Sequence, residues 1–383
     1  MHNNGAKSRI HRILGLVFIG VGIGVALIFC HGDALRDQEN ELTIDGESRE
    51  LKATYVVPTL DAPIQKGMNA IWCASFLSAW KTVETDLAKE PLSLQGSPEI
   101  ALALNKALDP RPYIPEASLY VAAGWNQKGI IDQIRKDLAK RFPSEPQPSF
   151  PGILPNSFVA YAYLEANLKF TLPYFQNHEP LVFSDRAGKQ TELSSFGIRP
   201  EDDYAYFELR KQPRVLFAAT DDDFRLLECV VDLDHTSKPS QVILALVKKK
   251  PTLAELLESV KEKIAKAENE ESQEGIGPND VLLVPDIVWR ISHRFAEIEG
   301  REFTNSTLKG QKIDVAQQDI RFRLDRSGAE LKSEAKTYML PVPTFYAFDR
   351  PFLLYMTKRG ARMPYLVVWI ENSELFKRWP PSR

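Results

Sequence analysis

Apolar residues recur along this chain in three spacings, and each predicts a different element. The first is an unbroken run, Ile13 to Cys30 (ILGLVFIGVGIGVALIFC), preceded by Lys7, Arg9 and Arg12 and followed by His31-Gly32-Asp33. About 18 uncharged residues are enough to cross a bilayer, and a basic flank stays on the cytoplasmic side. The pattern predicts a cytoplasmic segment 1–12, a transmembrane anchor 13–30 and an extracytoplasmic remainder. A cleaved signal peptide, leaving a secreted protein, is the alternative; its apolar region is ordinarily about 7–15 residues. Residues 31–60 are polar and acidic and read as a linker, with a strand at Thr54–Val57. The folded domain is predicted over 61–383.

The second spacing is helical. Trp72, Phe76 and Trp80 recur at i, i+4 within Ala70–Leu87, which predicts a helix with an aromatic stripe turned to the core. Ser97 and Pro98 predict the cap and first residue of a helix over Pro98–Leu108. Ile130, Ile131, Ile134 and Leu138 mark a helix over Ile130–Phe142. Thr252 caps a helix over Leu253–Ala267. A Pro-rich connector, Pro143 to Pro155, lies between Phe142 and the first of the strand-like runs at Phe158.

The third spacing has period two, the signature of strands. Runs rich in β-branched and aromatic residues occur at Phe158–Leu164, Tyr204–Leu209, Val215–Ala219, Phe224–Val231, Gln241–Val247, Val281–Ile291, Ile313–Leu324, Phe352–Thr357 and Tyr365–Ile370, and predict a β-rich second half. One stretch alternates without being apolar. Glu330, Lys332, Glu334 and Lys336 fall on one side of an extended chain, and Ala329, Leu331, Ser333, Ala335 and Thr337 on the other. One face is charged and the other small or apolar.

Composition changes this picture little. The chain has 383 residues, 44% hydrophobic and 26% charged, with a net charge of -3. Those are ordinary values for globular proteins, and nothing suggests the basic face of a nucleic-acid binder. Of Cys30, Cys73 and Cys229, only the last two are placed to form an internal bridge; two buried thiols are the alternative. No CxxC pair, phosphate loop, dinucleotide fingerprint, HExxH or GxSxG occurs, so no metal or cofactor is predicted. His235 beside Asp232 and Asp234 reads as a solvated turn. Asp221-Asp222-Asp223 reads as a hairpin turn, and Asn305-Ser306-Thr307 fits a glycosylation sequon. These absences weigh against an enzyme; only titratable groups converging in a pocket would restore that reading.

The last seventy or so residues add a resemblance. Phe348-Asp349-Arg350-Pro351-Phe352-Leu353-Leu354-Tyr355-Met356 is similar to the Phe-Asn/Asp-Lys/Arg-Pro-Phe signature of the serpin family and the strand after it. Tyr365–Asn372 (YLVVWIEN) is similar to the strand that closes most serpins, and Ile320–Glu330 (IRFRLDRSGAE) to the strand entering their reactive loop. Gly129–Leu138 resembles the helix across their main sheet, and Ala162–Ala166 echoes an internal strand. The resemblance spans about residues 65–375, with the part before Ser157 shorter than in the family.

It implies an α+β, serpin-like fold of three mostly antiparallel sheets with eight or nine helices, here preceded by the transmembrane helix. It also implies a protease inhibitor acting as a suicide substrate. The reactive loop, about 329–347, would insert into the main sheet after cleavage by a serine or cysteine protease. The hinge would comprise Arg326, Gly328, Ala329, Glu330, Leu331, Ser333 and Ala335, and the scissile region Leu340, Pro341 and Val342. The small inward face of 329–337 suits an inserting strand. Three features depart from the family: Arg326 replaces a usual Glu, Leu331-Lys332-Ser333-Glu334 replaces an alanine run, and prolines flank Val342. They point to the alternative, a non-inhibitory protein of the same fold that binds another protein ligand.

Overall fold

The computed structural model describes residues 44–143, 147–150, 153–154, 157–164, 168–199, 203–223, 225–268, 276–327 and 344–380. The largest sheet has seven strands, in the order Arg214–Thr220, Leu226–Asp232, Ser240–Leu246, Phe352–Lys358, Pro364–Ile370, Asn69–Cys73 and Thr54–Val56. Its central strands are apolar at nearly every position because both faces are covered. Every residue of Pro364–Ile370 and of Asn69–Cys73 is buried. The helix Leu253–Glu268 packs on the outer strand Arg214–Thr220. Its N-terminus is capped as predicted, the Glu255 amide donating to Thr252 Oγ1 at 3.1 Å.

A four-stranded sheet follows the order Phe345–Ala347, Val281–Pro285, Ser195–Ile198, Phe175–Gln176. Gly197 is required there: a Cβ on it would lie 1.8 Å from the Leu282 carbonyl oxygen of the neighbouring strand. A three-stranded sheet consists of Ile44–Glu47, Ile287–Arg294 and Gln317–Leu324. Two-stranded ribbons are made by Leu119–Trp125 with Phe158–Leu164, and by Leu181–Ser184 with Gln190–Leu193. Three of the pairings are parallel. Five α-helices occur among the described residues, fewer than the eight or nine that the resemblance implies.

Several predicted elements differ from the observed ones. Asn69–Cys73 is a strand, and the helix starts only at Ala74. Trp72 therefore does not continue the stripe of Phe76 and Trp80; it is fully buried beside Val367 of the neighbouring strand. A short, wholly apolar run carries no period that separates strand from helix. Tyr204–Leu209, predicted as a strand, lies in the helix Asp203–Leu209, with Tyr206 and Leu209 buried three residues apart and Phe207 exposed.

Within the predicted linker, Ile44–Glu47 pairs in parallel with Trp289–Ser292. The C-terminus holds the next segment. Glu374 accepts from the amides of Lys52 (2.8 Å) and Ala53 (3.0 Å), and Asn372 Nδ2 donates to the Ala53 carbonyl at 2.9 Å. These partners are more than three hundred residues away in sequence, so local composition does not report them.

The single-pass membrane localisation read from the sequence is corrected. No helix among the described residues is long and apolar enough to cross a membrane. The longest, Leu253–Glu268, has 16 residues and a charged face. The run 13–30, which prompted the expectation, lies outside the described residues, as does the segment 1–12 that the same pattern predicted to be cytoplasmic.

Candidate functional site

Two ladders stop facing one cavity. Gln317–Leu324 pairs on one side with Ile287–Arg294, and Phe158–Leu164 pairs on one side with Leu119–Trp125. Among the described residues neither strand has a ladder partner on its other side. Val159–Tyr163 and Gln317–Asp319 line the same cavity, of about 280 Å³. Phe76, Ala79, Trp80 and Val83, one stripe of the helix Ala74–Thr82 and its continuation, also line it. The Phe76 ring lies 4.0 Å from Phe295, which fixes it against the three-stranded sheet. Ser157 Oγ, just before one strand, bonds Asp314 Oδ2, just before the other, at 3.2 Å.

An open strand edge exposes unpaired N–H and C=O groups and is a template for another strand. Among the described residues, these two strands, seven and eight residues long, each have a ladder partner on one side. Gln317–Leu324 buries alternate residues throughout, with Gln318, Ile320, Phe322 and Leu324 inward. Gln318 is the polar exception. Its Nε2 donates to the Cys73 carbonyl (2.9 Å) and Ser75 Oγ (2.8 Å), which ties the strand to the helix below. Sequence reasoning missed it, although period two placed it on the inward face.

The strand leads directly into the predicted hinge. Asp325 accepts from the Ser327 amide at 2.7 Å and from the Ser327 hydroxyl, and it pairs with Arg323. Arg326 is half-buried. The other predicted loop residues, Gly328, Ala329, Glu330, Leu331, Ser333, Ala335, Leu340, Pro341 and Val342, lie outside the described residues. The chain is described again from Thr344, whose amide donates to Asp280 Oδ1 at 2.8 Å. Phe345–Ala347 then runs parallel to Val281–Leu283. The Phe-Asp-Arg-Pro-Phe signature anchors this far end. Phe348 and Phe352 are fully buried with ring centroids 5.2 Å apart, and Arg350 Nη2 donates to the Leu226 carbonyl at 2.9 Å.

Behind the hinge, Asp286 is buried at 4% exposure. Its Oδ2 accepts from Ser194 Oγ and from Gln176 Nε2, the latter at 2.9 Å. Burial pushes its carboxyl above the ordinary range and Asp325 adds to this, while the two hydrogen bonds and Lys377 oppose it. The folded state therefore holds this proton more tightly than the unfolded chain, so stability falls as pH rises through the folded-state pKa. Asp286→Asn, which stays neutral, is expected to raise the calorimetric melting temperature at pH 7. At pH 3, where the wild-type carboxyl is protonated in both states, it should change little. A gain that does not depend on pH would contradict the assignment.

The remaining candidates are structural. Asp221 accepts from the amides of Asp223 and Arg225 in a hairpin turn, as predicted. The His235 turn is not solvated around its acids: Asp232 and Asp234 are buried at 2% and 0% exposure. Asp232 pairs with Arg359 at 2.9 Å, and Asp234 accepts from the amides of Thr171, Thr236 and Ser237. His235 Nδ1 meets the Gln212 carbonyl. Asn305 of the sequon is buried, and its Nδ2 donates to Glu90 Oε1 and the Pro91 carbonyl. Cys73 and Cys229 are free, buried thiols; burial pushes the Cys229 thiol up to about 12. No group of His, Cys, Asp and Glu among the described residues is arranged to hold a metal ion.

Comparison with solved structures returns one fold repeatedly. Thyroxine-binding globulin in complex with thyroxine is 14% identical, covering 79% of this chain and 92% of that one, with a TM-score of 0.47. The mouse protein-Z dependent protease inhibitor is 13% identical, covering 79% and 91%, with a TM-score of 0.48. Tengpin, a thermophilic serpin in its native state, is 10% identical, covering 85% and 98%, with a TM-score of 0.46.

The chain is similar to serpins.

No family model matches the chain, and no curated protein matches it in sequence.

Proposed function

We propose that this chain is a serpin-like protease inhibitor whose loop, about residues 329–347, becomes a strand between Phe158–Leu164 and Gln317–Leu324 after cleavage. The observation that carries this reading is that both strands border one cavity, each with a ladder partner on one side only among the described residues, and that Gln317–Leu324 leads towards the loop. A loop returning directly along Gln317–Leu324 runs antiparallel to it. Ala329, Leu331, Ser333 and Ala335 then turn to the face on which Ile320, Phe322 and Leu324 are buried, and Glu330, Lys332 and Glu334 turn to water.

The chemistry belongs to the target. A serine or cysteine nucleophile attacks a carbonyl in Leu340–Val342. The peptide C–N bond breaks, the new amine leaves with a proton, and the loop's N-terminal part stays acylated on the protease. Of the three bonds those carbonyls make, Pro341–Val342 is the one whose nitrogen is not proline's. Strand insertion then carries the acyl-enzyme away before water hydrolyses it, driven by ladder bonds unavailable to the uncleaved loop. Incubation with serine and cysteine proteases is expected to give an SDS-stable complex joined through that region. Cleavage with no complex would leave the non-inhibitory reading, which the Leu331-Lys332-Ser333-Glu334 hinge favours.

A further inference from the structure

The outer strand of the three-stranded sheet is lightly held, and one of its side-chain ties ends on a histidine. Ile44–Glu47 pairs in parallel with Trp289–Ser292, and the chain then turns through the short 3-10 helix Ser48–Glu50. Ile44, Gly46, Glu47 and Ser48 are only half-buried, and Asp45, Arg49 and Glu50 are exposed. A segment with so little burial opens locally at small free-energy cost. Two side-chain contacts tie it to Ile287–Arg294. Arg290 Nε donates to Asp45 Oδ1 at 2.7 Å, and Ser48 Oγ lies 2.6 Å from His293 Nδ1. Just beyond, Glu374 holds the amides of Lys52 and Ala53, so peeling stops there.

His293 falls on the inward face of its strand, in step with the buried Trp289 and Ile291. Its ring meets Phe295 edge-on at 4.5 Å, and Phe295 in turn contacts Phe76. Across the ladder stands Gln318, which is neutral. Charges on the neighbouring elements are matched to one another: Arg294 with Glu299 at 2.7 Å, and Glu47 with Arg49 at 2.5 Å. Glu50 Oε2 lies over the ladder, 2.8 Å from where a Cβ on Gly46 would be. Glu297, exposed on the turn after the strand, favours a charged ring; burial outweighs it and pulls the imidazole below its ordinary value. The neutral ring therefore contributes stability above about pH 6.5 that is lost as the pH falls through the folded-state value. Undocking Ser48 is the least disruptive way to return water to a charged ring.

We propose that residues 44–50 form a pH-released strap, docked on Ile287–Arg294 while His293 is neutral and detached when its ring takes up a proton. Ile287–Arg294 carries Gln317–Leu324 on its other edge, so release removes the outer strand of the sheet that leads towards the loop. The strap itself does not depend on loop insertion.

Hydrogen exchange of the full-length protein at pH 7.5 and 5.5, corrected for the intrinsic chemical rate, reads the opening. The ladder amides of Ile44–Glu47 are expected to exchange about fivefold more readily at pH 5.5, while those of Ile320 and Phe322 stay unchanged. His293→Gln keeps a partner for Ser48 but cannot gain a charge, and should lose the pH dependence. Asp45→Asn breaks the other tie and should loosen the strap at both pH values, leaving their ratio intact. If His293→Gln does not fold, the His293 ring titration followed by NMR in the wild type decides, because its midpoint should coincide with that of the exchange. Exchange that is equal at the two pH values, a pH dependence that survives His293→Gln or is shared by Ile320 and Phe322, or midpoints that differ would overturn the proposal.

Discussion

Cutting the loop within Leu340–Val342 is expected to raise the melting temperature of the protein by about 10–25 °C. The figure comes from the lengths of the two strands that would flank the inserted loop. An inserted strand lies along edges of seven and eight residues and forms roughly fifteen new backbone hydrogen bonds, about one per residue with each edge, each worth about 0.5–1 kcal/mol net. Alternate side chains, Ala329, Leu331, Ser333 and Ala335, leave water as well. At a few degrees per kcal/mol, less for larger domains, the sum falls in that range. Limited proteolysis followed by calorimetry reads it directly. Ala335→Glu, which puts a charge on the inward face, should lower the gain because a buried unpaired carboxylate is costly. A cut loop with an unchanged melting temperature would contradict insertion.

The second large effect lies in the buried network around Arg359. Its guanidinium donates to Asp232 Oδ2 (2.9 Å), Gln241 Oε1 (2.7 Å) and the carbonyls of Asp234 (2.8 Å) and Ser237 (2.9 Å). The Asp232 side chain is 3% exposed. Burial pushes its carboxyl up and Arg359 pulls it back. Arg359→Met removes that compensation and leaves a buried charge alone, at a cost of about 3–5 kcal/mol. Urea unfolding at pH 7 is expected to show the loss as a lower midpoint. Lowering the pH should shrink the deficit, because a protonated Asp232 no longer needs the cation. The double variant Asp232→Asn/Arg359→Met should recover part of the loss. A deficit independent of pH would assign the cost to lost packing instead.

Much of the fold was legible where one segment's own pattern decides its structure. The helices Ile130–Arg141 and Leu253–Glu268 carry a clean stripe, and the second carries its cap. Gln317–Leu324 buries every second residue, as its alternation predicts. Long-range pairing misled the reading elsewhere. Asn69–Cys73 looked helical because Trp72, Phe76 and Trp80 keep i, i+4 steps; it became a strand because Pro364–Ile370 offers it a ladder. Ile44–Glu47 looked like part of an acidic linker, yet Asp45 meets Arg290 in an ion pair on the sheet edge. Asp232 and Asp234 looked solvated because Arg359, which buries the first of them as a pair, is more than a hundred residues away.

The candidate site divides in the same way. By itself the sequence determined which residues of Gln317–Leu324 face inward and that a buried apolar run begins at Phe352. Those are properties of side-chain period and of local apolar content. Only the tertiary structure decided that Phe158–Leu164 and Gln317–Leu324, each with one ladder partner among the described residues, border one cavity that Phe76 and Trp80 also line. Period two specifies which face of a strand is buried. It carries no information about which backbone edge has a partner, because N–H and C=O groups are the same in every residue but proline. That two strands border one cavity is visible only when both are in position.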